Sequence, residues 1–206
     1  DYLKKYKMSY KIDIIDLSSL YLLYKGTKNS VNHCLTFNSP LVLEDNIVNY
    51  IVDINEANRI KNILIDEDDY IRWKILNGIP SYPNELNSNI IPIEANMWTP
   101  ISFTKGCYIG QETIARIRYR GKVRKTLSCI ELEGHASEVP DIYDANGNSI
   151  GTLTSSYFSS NEHKTYALGF IKDEYNLAGN KVKVSSTLGI INFNNYKEAN
   201  LAHLEE

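Results

Sequence analysis

Residues 105–112 read Lys105-Gly106-Cys107-Tyr108-Ile109-Gly110-Gln111-Glu112, and this octapeptide concentrates more chemistry than any other stretch of the chain. Its two glycines let the backbone turn sharply and let a ligand approach the main chain closely. Gln111 opens a short helix predicted to run to Arg116, so the loop ends at free backbone amides and a positive dipole end. Such an end attracts anionic groups, a thiolate included. Lys105, two residues before the thiol, adds a cation. Cys107 in this setting can serve as a nucleophile, a redox centre or a soft metal ligand. A cysteine between glycines can also be a small packing residue, since burial is its commonest fate. Local physics leaves both readings open.

Upstream of the octapeptide, residues 81–100 carry Pro83, Pro92 and Pro100 without regular periodicity and read as a long ordered loop, functional or tightly docked. A helix precedes it. Asp66-Glu67-Asp68-Asp69 supplies carboxylates for its N-terminus, Tyr70, Trp73 and Ile75 or Leu76 recur at helical spacing, and Gly78 with Pro80 supplies the stop. Residues 55–64 predict another helix, and residues 2–8 resemble the end of an amphipathic one. Strands are predicted at 11–15, at 20–24 with Gly26 as the stop, at 34–37 and at 47–52.

Downstream, Arg116-Ile117-Arg118-Tyr119-Arg120 alternates with period two, so the helix is expected to give way to a strand ending at Gly121. Short strands then recur at 127–132, 142–143, 150–155, 165–171, 181–184 and 189–193. Glu133-Gly134, Asn146-Gly147-Asn148, Ser159-Ser160-Asn161 and Gly179-Asn180 separate them. That rhythm predicts a small antiparallel barrel or sandwich. The fold class is therefore α+β: an α+β domain over residues 1–122, a C-terminal β-barrel over 123–197 and a tail over 198–206.

The 206 residues are 43% hydrophobic and 23% charged, the balance of an ordinary globular protein. A net charge of −3 argues against a generic nucleic-acid binder. No apolar run approaches the roughly 20 residues that span a bilayer, and the lysine-bearing start has no apolar core of a secretory signal. Neither nucleic acid nor membrane is an expected partner. Cys34, Cys107 and Cys129 are an odd number at wide spacing, which fits free thiols in a reducing compartment.

The remaining candidates are weaker. Arg116, Arg118, Arg120, Lys122, Arg124 and Lys125 place six cations in ten residues, either as a solvated strand edge or as an anion dock. His33-Cys34 lacks the additional ligands of a metal site. Cys129 lies in an apolar strand and reads as core. Residues 66–69 lack the glycine and the terminal glutamate of a calcium loop. Trp73 reads as core, whereas Trp98 stays open between core and a stacking platform for a ring.

The octapeptide resembles the signature of the YgfZ-type proteins, relatives of the glycine-cleavage aminomethyltransferases: Lys-Gly-Cys-aromatic-any-Gly-Gln-Glu, met here at every specified position. The likeness extends to Gly78-Ile79-Pro80, Ile91-Pro92 with Asn96, Ala115-Arg116, Arg120-Gly121, Gly151–Ser155 and Ala167-Leu168-Gly169. It implies an aminomethyltransferase-like (GcvT-like) folate-binding domain followed by the barrel. The implied function is a tetrahydrofolate-binding accessory factor that matures or repairs iron–sulfur enzymes without classical turnover. Cys107 would be the reactive thiol or a transient cluster ligand, and Lys105 would tune it or contact folate. Gly106, Tyr108, Gly110, Gln111, Glu112, Arg116 and Arg120 would shape the loop and bind folate or its anionic groups. No permanently bound metal is expected. A-type iron–sulfur carrier proteins and client enzymes are the implied partners, in the bacterial cytoplasm or, alternatively, the mitochondrial matrix. The family carries an additional N-terminal segment that completes the first domain, and this sequence is expected to start after it, either as a fragment or with a domain completed differently. Leu76 stands where the aminomethyltransferases place the acid that holds the pterin, and those enzymes lack the cysteine. Both departures weigh against the competing reading, a folate-dependent aminomethyltransferase.

Overall fold

A computed structural model describes residues 11–28, 34–38, 47–60, 65–136 and 140–192. The described residues up to Ile60 form one compact unit and those from Ile65 onward a second. Lys122, where a domain boundary is expected from sequence, lies inside the second unit, between a helix that ends at Arg120 and a strand that begins at Lys125.

The first unit is a three-stranded antiparallel sheet of β1 (Tyr21–Thr27), β2 (Leu35–Asn38) and β3 (Ile47–Asp53), with β3 in the centre, followed by a short helix α1 (Ala57–Ile60). Alternation along β3 buries Val48, Tyr50 and Val52 on one face, where Tyr24 and Cys34 join them. The opposite face exposes Leu23, Leu35 and Phe37. Two expectations need correction here. Residues 11–15 form no strand: alternation supplied a pattern, yet no described strand pairs with it, and Ile12, Ile14 and Ile15 are exposed. Gly26 does not stop β1, which continues to Thr27 with Gly26 opposite Val48. An added Cβ there would lie 3.7 Å from Cε2 of Tyr50, an ordinary van der Waals contact, so the strand passes through this position without strain. His33, the helix expected at 2–8, residues 61–64 and the tail lie outside the described residues.

In the second unit, α2 (Glu67–Leu76) follows its sequence signals closely. Asp66 caps it by accepting from the Asp68 N–H at 3.0 Å, Glu67, Asp68 and Asp69 occupy its first turn, and Gly78 turns out at φ +70°. No described helix is long and apolar enough to cross a membrane.

The barrel is closed and wholly antiparallel in the order β4-β7-β6-β5-β8-β9: β4 (Lys125–Glu133), β5 (Asp141–Tyr143), β6 (Ser149–Ser159), β7 (Lys164–Lys172), β8 (Lys181–Val184) and β9 (Thr187–Asn192). Inward positions are filled by Ile130, Leu132, Ile142, Ile150, Ile171, Val182, Val184 and Ile191, so the interior is packed rather than hollow. Gly151 and Gly189 are required by close approach. A Cβ at either would meet a carbonyl oxygen of the neighbouring strand at 2.3 Å. The middle of β4 is buried on both faces, because its outer residues Leu127 and Cys129 pack with Leu168 and Phe170 against Ile75 and Ala95.

The long loop 81–100 is tightly docked on this outer wall. Glu85 is fully buried and accepts from the Ser155 hydroxyl of β6 at 2.6 Å and from the Ser81 N–H at 3.0 Å. Asn96 ends a 3₁₀ turn over Pro92–Ala95 and donates its side-chain amide to the Leu127 carbonyl at 2.8 Å.

Candidate functional site

Helix α3 runs over Gln111–Arg120 and is longer than the sequence suggested. The strand expected over residues 116–120 is a helical turn instead. Ile114 is buried with Ala115, Ile117 and Arg118 half-buried, a period of three to four that outweighs the short alternation of Arg and Ile. Gly121 ends the helix, donating its N–H to the Ile117 carbonyl at 3.3 Å.

The octapeptide forms the loop leading into α3. Gly110 is the residue before the first turn and takes φ +89°, a left-handed conformation that a side chain would strain. Its carbonyl accepts from Ile114 at 3.3 Å. Gln111 closes the loop in both directions: its N–H donates to the Tyr108 carbonyl at 3.2 Å, and its side-chain oxygen accepts from the Tyr108 N–H at 3.3 Å. At the other end, Ser102 accepts from the Lys105 N–H at 3.1 Å. The loop is thus clasped on both sides of Cys107, and Cys107 itself is exposed. Space around an added Cβ is open at both Gly106 and Gly110.

Lys105 places its ammonium 4.8 Å from the centre of the Tyr108 ring, a cation–π contact that draws Lys105 and Tyr108 together within the loop. Glu112, Arg116 and Arg120 recur at intervals of four on the exposed side of α3. Arg118 turns to the other side, its guanidinium 4.0 Å from the Phe103 ring centre. The octapeptide residues and the two arginines are therefore carried by one loop and one helix.

The other two thiols differ. Cys129 is buried with its S–H directed at the Ile75 carbonyl at 3.7 Å, and burial pushes its pKa up to about 12. Cys34 is half-buried in the first unit. Among the described residues no three His, Cys, Asp or Glu side chains gather as a metal site. A cavity of about 80 Å³ lies between the end of α2 and the barrel, lined by Leu76, Cys129, Tyr166 and Asn192 among others. Trp73 is half-buried and stacked on Tyr70 at 5.9 Å, and Trp98 is half-buried in the loop.

Sequence reasoning missed Ser102, Phe103 and Ile109. Ser102, three residues before Lys105, carried a turn signal that could have been read. Ile109 is 91% exposed, a fact no local pattern announces.

No protein-family model matches the chain. In fold, it is similar to the glycine cleavage system aminomethyltransferase T from Bartonella henselae, with a TM-score of 0.58 over 73% of this chain and 46% of that one at 14% identity. In sequence, it is 33% identical over 112 residues to an aminomethyltransferase of Caldanaerobacter subterraneus, covering 52% of this chain and 29% of the relative. It is 42% identical over 72 residues to the mouse mitochondrial iron–sulfur cluster assembly factor IBA57, covering 34% of this chain and 20% of that protein. Its homologues thus include both aminomethyltransferases and IBA57 assembly factors. The chain spans less than half the length of each of these three proteins. The α+β, aminomethyltransferase-like (GcvT-like) architecture with its antiparallel barrel agrees with the expectation from sequence.

Proposed function

We propose that this chain is the thiol-bearing part of a tetrahydrofolate-binding accessory factor that matures or repairs iron–sulfur enzymes, working through Cys107 without turnover of its own. The observation that carries this reading is the exposed thiol, held by a clasped loop at the start of α3. IBA57 assembly factors among the homologues support it.

The iron–sulfur cluster is cargo. Cys107 supplies one thiolate to it, and the remaining ligands come from an A-type carrier protein before a client enzyme receives the cluster. Gly106 and Gly110 keep side chains out of the approach, and Gln111 fixes the direction in which the thiol is presented. Glu112 follows Gln111 in the first turn.

The residues present fit tetrahydrofolate at its anionic end. Lys105, Arg116 and Arg120 offer cations, two of them able to hold carboxylates bidentately. The pterin end finds less: the cavity beside Leu76 is far below the roughly 300 Å³ of a small-molecule pocket, and Leu76 has no carboxylate. When bound, tetrahydrofolate supplies a reduced pterin able to carry a one-carbon unit. The competing reading, aminomethyl transfer, draws on the aminomethyltransferases among the relatives, and Leu76 speaks against it. The proposed setting is the bacterial cytoplasm, with the mitochondrial matrix as the alternative suggested by the mouse relative.

Calorimetric titration with tetrahydrofolate tests the ligand. Saturable binding that weakens in Arg116→Ala/Arg120→Ala is expected, and absence of heat with the folded chain removes the folate half of the proposal.

A further inference from the structure

The cations beyond Cys107 form a surface larger than a folate tail requires. Six of the chain's 22 Lys and Arg residues lie between Arg116 and Lys125, and none of its 25 Asp and Glu does, so acids outnumber bases 25 to 16 elsewhere. Two of the six are engaged on rings, Arg118 on Phe103 and Lys125 on Phe170. Arg116, Arg120, Lys122 and Arg124 are exposed and make no ion pair with any described residue. Tyr119, 68% exposed, stands among them, and Ile109 projects from the loop at the other end of α3. A ten-residue helix is about 15 Å long, so the row from Ile109 to Arg124 can supply the central part of one side of a protein interface.

We infer that this face docks an acidic surface of a partner protein, with Ile109 and Tyr119 as apolar anchors and Arg116, Arg120, Lys122 and Arg124 as the complementary charges. Arginine and tyrosine are the residue types that carry interface energy, and charge complementarity sets register and encounter rate. A protein fits better than a nucleic acid. A compact acidic patch touches only this row, whereas a long polyanion also meets the acidic remainder of the chain. Ile109 offers nothing to a phosphate backbone. The inference deepens the assembly role, resting on that reading for the partner's identity, and places the partner beside Cys107.

The test uses a short fluorescein-labelled peptide of Glu and Asp with a central Leu, read by anisotropy. The chain is expected to bind it with an affinity that falls as salt rises. Lys122→Glu/Arg124→Glu weakens binding by about tenfold or more while tetrahydrofolate titration is unchanged, and Ile109→Ala weakens it by a smaller factor. Absence of peptide binding, equal binding by the charge-reversed variant, or tighter binding of a single-stranded oligonucleotide of equal charge overturns the inference. None of these outcomes touches the folate titration or the Cys107→Ser assay, so failure here is distinct from failure of the proposed function.

Discussion

Two cysteines twenty-two positions apart in one compact unit meet opposite fates, and the contrast separates what builds this molecule from what it offers to others. Cys129 lies on a strand covered from both sides, by barrel interior and by α2, and its ionisation is suppressed by burial. Cys107 lies on a loop held by hydrogen bonds to its own neighbourhood, and its sulfur meets solvent. The same side chain is core in one place and open to solvent in the other. Their sequence neighbours differ accordingly, with Leu127 and Ile130 near Cys129 and two glycines and a lysine around Cys107, and the fold decides between the readings that the sequence left open.

The largest effect expected from this contrast is in thiol alkylation. In a Cys34→Ser background near neutral pH, Cys107 should label with iodoacetamide at least about a thousandfold faster than Cys129, whose labelling awaits unfolding. Mass spectrometry of labelled peptides measures the ratio, and comparable rates would erase the distinction. Next in size is Glu85→Ala. It strips the Ser155 hydroxyl and the Ser81 amide of their buried acceptor and should cost about 2–3 kcal/mol in denaturant unfolding, whereas Gln111→Ala, half-buried at the start of α3, should cost about 1 kcal/mol or less. Equal costs would mean that the loop is as integral to stability as the docked segment.

The smallest effect concerns the barrel surface. The Lys164 ammonium, hydrogen-bonded to Glu131, holds that carboxyl below the usual carboxylate range, with Asn192 donating to its second oxygen. A lowered folded-state pKa gives stability that is present above the ordinary value of about 4.3 and lost as pH falls through the lowered one. Glu131→Gln should therefore lower the thermal midpoint by about 2 °C or less at neutral pH. The two proteins should converge in acid, and a difference that grows as pH falls contradicts the assignment.

Much of this was legible in the amino-acid order. Asp66 through Pro80 reads as a capped helix with its stop, and α2 is that helix, because capping and glycine termination are local effects. The six barrel strands fall where turn residues bracket apolar runs. The strand expected over 116–120 failed because five residues satisfy either period, and only the burial of Ile114 decides for the helix. Residues 11–15 failed because alternation cannot specify a partner strand. Glu85 was invisible within a loop called irregular, since its burial depends on Ser155, seventy residues away. At the candidate site the glycines of the octapeptide announced a loop leading into a helix at Gln111, while the exposure of Ile109 and the posture of Arg118 on Phe103 are tertiary facts.

The most direct test of the thiol's role is rescue of an iron–sulfur enzyme's activity in cells lacking this protein, comparing the unaltered protein with its Cys107→Ser variant at equal abundance. The account predicts rescue by the former and little or none by the latter, with the variant's melting temperature unchanged. Full rescue by Cys107→Ser would contradict it.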